Sequence, residues 1–73
     1  MTNERIIDLV VLSFNINKDN IKIINSNYNF NSGTTYYKLK YVVEKNIIGI
    51  KSKLLVSYFS VYVSEDEISI KKC

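Results

Sequence analysis

The stretch Thr34-Thr35-Tyr36-Tyr37-Lys38-Leu39-Lys40-Tyr41-Val42-Val43 decides the fold. Thr35, Tyr37, Leu39, Tyr41 and Val43 fall on one side of a period-two pattern. Tyr36, Lys38, Lys40 and Val42 fall on the other. Successive side chains of a strand point to opposite faces, so this segment is a strand with one face on a core and one toward water.

Just before it, Asn31-Ser32-Gly33 offers a turn, with a glycine where positive φ is free. Further back, Ile24, Ser26, Tyr28 and Phe30 alternate with Ile23, Asn25, Asn27 and Asn29, a second strand from Ile21 onward. On the C-terminal side, Glu44-Lys45-Asn46 reads as a turn and Ile47 to Leu55 as a third strand. There Ile48, Ile50 and Leu54 take one face, Lys51 and Lys53 the other. Two-residue loops at Ser32-Gly33 and Lys45-Asn46 set a register. Tyr28 then faces Tyr37, Ile24 faces Tyr41, Tyr41 faces Ile50, and Val43 faces Ile48. The strong apolar residues share one side and the lysines the other. A slip of one residue would destroy that division.

The N-terminal segment Asn3 to Phe14 has two readings. On a helix, Ile6, Ile7, Leu9, Val10, Val11 and Phe14 form one broad arc, with Glu4, Arg5 and Asp8 opposite. Thr2 or Asn3 can cap the first turn, and Glu4 suits the positive end of the dipole. The β-branched residues Ile6, Ile7, Val10 and Val11 argue for a strand. The spacing favours the helix. Asn15 to Asn20 is polar enough for a turn.

The tail is open to more than one reading. Leu54 to Val63 is a strand apolar on both sides or a continuation of the third strand, although its spacing also permits a helix. As a strand it carries Val56, Tyr58 and Tyr62 on one side and Leu55, Phe59, Val61 and Val63 on the other. Ser64 to Glu67 is a turn, and Ile68-Ser69-Ile70 returns as an edge blunted by Lys71 and Lys72. The expected fold is therefore α+β: one N-terminal helix packed on a four- to five-stranded antiparallel meander, with residues 1–73 as a single domain.

Composition narrows the function. The chain has 73 residues and a net charge of +3, near the lower size at which one core suffices without staples. Cys73 is the only cysteine and there is no histidine. An internal disulfide and the commonest metal ligand and general base are therefore excluded. Cys73 reads as an exposed thiol at a frayed end, and a reducing, cytoplasmic setting is expected. No apolar run approaches the roughly 18 to 20 residues of a membrane span. Ile, Asn, Lys and Tyr supply nearly half the chain, while Ala, Pro, His, Trp and Gln are absent. That skew suits a very AT-rich genome, such as that of a bacterium, its phage or a large DNA virus.

Catalytic patterns are thin. Glu4 and Asp8 lie one helical turn apart on the face expected to be wet, as an ordinary solvated pair does. Glu65-Asp66-Glu67 lacks the spaced oxygens and glycine turn of a calcium loop. Gly33 and Gly49, the only glycines, make no phosphate-binding loop. A non-enzymatic protein without cofactor or metal is expected.

Two binding surfaces remain. In the two-residue-loop register Lys40 lies opposite Lys51 and Lys38 opposite Lys53, flanked by Tyr36 and the row Asn25, Asn27, Asn29. Residues 16–63 carry seven lysines against two acids, while each flank is net −1. A basic face of this kind suits single-stranded nucleic acid or an acidic protein, or keeps an exposed sheet soluble. The other surface is the tail, where Tyr58 and Tyr62 form an apolar patch of the kind that meets a protein partner or a second copy. The sequence-based expectation is a stoichiometric inhibitor or adaptor acting on a host protein or nucleoprotein complex. Size and composition suit an anti-defence protein of a phage or mobile element, of the anti-CRISPR kind. Direct nucleic-acid binding through the lysines is the alternative.

Overall fold

The computed structural model describes residues 2–45, Gly49 and residues 53–73. Helix α1, Asn3–Phe14, starts where Thr2 is extended and its Oγ1 accepts a hydrogen bond from the Arg5 amide at 3.3 Å. It ends at Asn15, whose left-handed backbone (φ 53°) asparagine tolerates well. The β-branched residues do not prevent the helix, because Ile6 and Val10 are fully buried. Burying such a side chain is worth about 1.5–3 kcal/mol, against a propensity loss of a few tenths.

A single 3-10 turn, Lys18–Asn20, follows, with Asn17 Oδ1 accepting from the Asp19 amide at 3.0 Å. Lys18 Nζ reaches Asp8 at 2.9 Å and Glu4 at 3.4 Å, clipping this turn to the wet side of α1. The hydrogen bond to Asp8 is the main reason the Lys18 ammonium holds its proton above the ordinary lysine range.

The sheet comprises β1 (Ile21–Asn29), β2 (Thr34–Lys45), β3 (Lys53–Val63) and β4 (Ile68–Lys72), antiparallel throughout and in the order β1-β2-β3-β4. The α+β meander read from the sequence is the observed fold, with four strands among the described residues. The segment Leu54 to Val63 is the body of β3 and not a helix. β3 includes the last three residues of the third strand expected over Ile47 to Leu55. Residues 46–48 and 50–52 of that expected strand and its turn lie outside the described residues.

Both registers differ from expectation. The first hairpin leaves β1 two residues earlier and enters β2 at the same Thr34, pairing Asn29 with Thr34 around a four-residue loop. Gly33 has φ +66° and its amide returns to the Asn29 carbonyl at 2.8 Å. Tyr28 faces Thr35 instead of Tyr37. A β-bulge at Ile24 then shifts the pairing, so Ile21, not Ile24, faces Tyr41, and Ile23 faces Leu39. The bulge exchanges which side chains of β1 point toward the helix: Ile21 is buried and Ile24 is exposed. An inserted residue has this effect because strand side chains alternate with period two.

In the second hairpin, Tyr41 faces Ser57 and Val43 faces Leu55, while Lys45, expected in the turn, pairs with Lys53. The expected partners Ile50 and Ile48 lie outside the described residues. The physical reason for the longer connection is visible in the core. With this register Leu39 meets Phe59 and Tyr37 meets Val61 directly beneath α1, where all four are buried. Together with Ile6, Val10 and Ile21 they form the core, and Phe14 closes over Phe59 with ring centroids 4.8 Å apart. The segment apolar on both sides has become an inner strand, covered by the helix on one face.

Core membership differs at two aromatics. Tyr28 and Phe30, expected inside with Tyr37 and Tyr41, are 50% and 88% exposed and pack edge-to-face on each other at 5.1 Å. The early turn carries Phe30 out of the strand altogether.

Replacing Leu39 with alanine should cost about 2–5 kcal/mol, most of the stability of a domain this small. Leu12→Ala, at a position 81% exposed, should stay within about 0.5 kcal/mol of the parent. Chemical denaturation midpoints of the two variants check this, and equal losses would contradict the packing.

Candidate functional site

The helix covers one face of the sheet and leaves the other open. Counting by strand alternation from the register, the open face of β1 carries Lys22, Asn25, Asn27 and Asn29, and that of β2 carries Thr34, Tyr36, Lys38, Lys40, Val42 and Glu44. β3 contributes Val56, Tyr58, Ser60 and Tyr62; β4 contributes Ser69 and Lys71. The cross-strand rows follow directly. One is Asn27–Tyr36–Tyr62–Ser69, the next Asn25–Lys38–Ser60–Lys71, and the third Lys22–Lys40–Tyr58.

The two surfaces read separately from the sequence are therefore one. Tyr36, Lys38 and Lys40 from the expected basic face lie beside Tyr58 and Tyr62 from the expected tail patch. The other two expected lysines do not join them. Lys53 pairs with Lys45, so the alternation places it on the opposite face, far along the hairpin. Lys51 lies outside the described residues. Lys22 and Lys71, not singled out in the sequence, take their places. Lys22 stands opposite Lys40; its signal was hidden by the bulge. Lys71 enters because β4 runs through both of its lysines.

Side-chain contacts tie the face together. Lys38 Nζ stands 5.1 Å from the Tyr58 ring centroid and Lys71 Nζ 6.0 Å from that of Tyr62, both within cation–π range. Tyr36 and Tyr62 are cross-strand partners with centroids 5.1 Å apart and planes inclined at 47°. The Tyr36 hydroxyl lies 3.5 Å from Ser60 Oγ, one row further down, so the ring leans along the sheet. Ser60 is buried beneath these neighbours and also meets Cys73 Sγ at 3.4 Å. The chain end is less frayed than expected: Cys73 is exposed, yet its amide donates to the Tyr58 carbonyl at 2.8 Å.

Charge is segregated. Lys22, Lys38, Lys40 and Lys71 occupy the open face, where Glu44 on β2 and Asp19, which borders Lys22 and Lys40 from the 3-10 turn, are the opposing acids. Glu4 and Asp8 lie on the helix with Lys18, and Glu65, Asp66 and Glu67 form the β3–β4 turn. Lys22 and Lys40 oppose each other directly, as do Lys45 and Lys53. Each like-charged pair costs a few tenths of a kcal/mol or more.

A second feature lies beyond the helix. β1 pairing stops at Tyr41 and β4 pairing at Phe59, so 42–45 and 53–56 form a two-stranded arm of a molecule 53 Å long. Leu54, Leu55 and Val56 are exposed on it.

Among the described residues no group of three or more acidic or cysteine side chains could hold a metal ion, and no helix is long and apolar enough to cross a membrane. Compared with protein-family models, with curated proteins and with solved structures, the chain finds no significant match.

The face composition depends on the β2–β3 register, which cross-linking tests. Tyr58 gives its carbonyl to Cys73 on the far side. Lys40–Tyr58 is thus a non-hydrogen-bonded pair, with Cα atoms about 4.5 Å apart, inside disulfide range. Lys40→Cys with Tyr58→Cys, in a Cys73→Ser background, should oxidise to an intramolecular disulfide. Persistent free thiols in the folded protein would mean that the strands pair otherwise.

Proposed function

We propose that this protein is a non-enzymatic binding module whose open sheet face takes single-stranded nucleic acid. The observation that carries the proposal is the interleaving of Tyr36, Tyr58 and Tyr62 with Lys22, Lys38, Lys40 and Lys71 on one uncovered face. Unpaired bases stack on aromatic rings at about 1–3 kcal/mol each, and lysines nearby neutralise the phosphates. The stacked bases of a duplex offer no free π-face to such a surface. The opposed Lys22 and Lys40 support the same reading, since a polyanion relieves a repulsion that the fold otherwise carries. Glu44 and Asp19 border the β2 end of the face, Asp19 beside Lys22 and Lys40. The other acids lie on the helix or at the β3–β4 turn, so lysines outnumber acids on the face.

A specific observation favours a second reading. The arm exposes Leu54, Leu55 and Val56, and among the described residues no strand neighbours it on either edge. A protein partner held there would make the chain an inhibitor or adaptor, of the mobile-element, anti-defence type that its AT-rich composition suits. A second copy of the chain is the other occupant such an arm accepts. Capture of one defined protein after nuclease treatment of a lysate would favour the inhibitor. A concentration-dependent dimer in light scattering would favour self-association.

Fluorescence anisotropy with labelled oligonucleotides tests the first reading. Single strands should bind more tightly than duplex of the same length, and log K should fall with log salt at roughly 0.7 per neutralised phosphate. With four lysines engaged, the slope should be about −3, and Lys38→Ala or Lys40→Ala should each lower it by about 0.7. Absence of single-strand binding tighter than about 100 µM at low salt would sink the proposal.

A further inference from the structure

We propose that the turn end of the open face is a base-reading pocket that prefers adenine, with Asn27 as the reading residue. The inference rests on the single-strand reading above and deepens it. A shallow depression of about 470 Å³ lies there, lined by Asn27, Asn29, Ser32, Thr34, Tyr36 and Tyr62. That volume falls within the range of about 300–1,000 Å³ typical of small-ligand sites.

Its wall and its rim differ in chemistry. Tyr36 and Tyr62 stand with ring centroids 5.1 Å apart and planes inclined at 47°, so one ring is a seat for one unstacked base and the other ring lies at that base's edge. Asn27 stands directly opposite Tyr36 in the register, so its amide flanks that seat. Among the described residues the Asn27 side chain makes no hydrogen bond, which leaves its carbonyl oxygen and its amide N–H groups free together. A free carboxamide matches the donor and acceptor pair N6 and N7 of adenine in a bidentate way. Asn29 is different: its Oδ1 already accepts from the Asn31 amide at 3.0 Å within the turn. That bond ties its oxygen to the turn and fixes the carboxamide's orientation, leaving one lone pair and the amide nitrogen, so it is the poorer reader.

The charges near the pocket favour the same base. Guanine is read through O6 and N7 by arginine or lysine, and neither residue lines this depression. The neighbouring depression shares Thr34 and Tyr62 and is lined by Glu67 on its far side. A carboxylate there repels phosphate and favours the neutral base over the backbone. The lysine backbones begin one row further down, with Lys38 and Lys71, and the Lys71 ammonium reaches to 6.0 Å from the Tyr62 ring centroid at the border of the two regions. A strand therefore lays its phosphates toward the lysine rows and turns one base up into the amide-rimmed end. The face is divided lengthwise into a part that holds the backbone and a part that reads the base.

The test uses the full chain and three oligonucleotides of equal length: an all-thymine strand, the same strand with one central adenine, and the same strand with one central abasic site. The single adenine should tighten binding by about five-fold or more over all-thymine, and the abasic strand should bind most weakly. Asn27→Ala should abolish the adenine advantage and leave the salt slope unchanged. Asn27 is exposed on an edge strand, and circular dichroism verifies that the variant is folded. Lys40→Ala should do the reverse, lowering the slope and keeping the advantage. Equal affinity for the three strands, with a normal salt slope, would overturn the pocket and leave the basic face standing. An adenine preference that survives Asn27→Ala would overturn the assignment to Asn27. Failure to bind any single strand would overturn both the pocket and the face.

Discussion

The pairing of β2 with β3 is the constraint on which the rest of the molecule depends. It runs from Thr35–Val63 to Lys45–Lys53 and makes both strands internal over the part that α1 covers. Because β3 is apolar on both sides, this one register brings Phe59 and Val61 under the helix. It sends Tyr58 and Tyr62 to the opposite surface. Core and candidate site are thus two faces of the same few residues. A one-residue slip would leave neither intact, since it would turn the tyrosines inward and the core residues outward.

What could be read from the amino-acid order was local. The helix Asn3–Phe14 was legible because its apolar spacing and its Thr2 cap agree. The turn before Thr34 was legible because Gly33 takes a positive φ that few other residues tolerate. The division of β3 into a Tyr58–Tyr62 side and a Phe59–Val61 side follows from period two alone. Distances between elements were not legible. No periodicity announces how many residues separate two strands, so the assumption of a two-residue loop after Glu44 misplaced the pairing partners of Tyr41 and Val43. The bulge at Ile24 was equally silent, since a run of isoleucines at 23 and 24 reads the same in either phase.

The same blindness shaped the site. Tyr36, Lys38 and Lys40 were recognisable as one face of a strand, but their neighbours depend on register. Lys53 left the group, Lys22 and Lys71 entered it, and the tyrosines of the tail moved alongside. Composition could report that the middle of the chain is basic. It could not report which lysines share a face, or that Asp19 comes to lie beside Lys22 and Lys40, because those neighbours arise only when the strands are paired.

The bulge at Ile24 has a consequence for the behaviour of the folded protein at high concentration. β1 is a long outer strand rich in asparagine and isoleucine, and a flat strand of that composition is a template on which further chains can add. An extra residue breaks the regular ladder of donors and acceptors and increases the local twist. A second β1 cannot lie along it in continuous register. At the other edge, β4 is short and ends in Lys71 and Lys72, which repel an incoming copy. The irregularity that obscured the strand's phase also guards the sheet against open-ended growth.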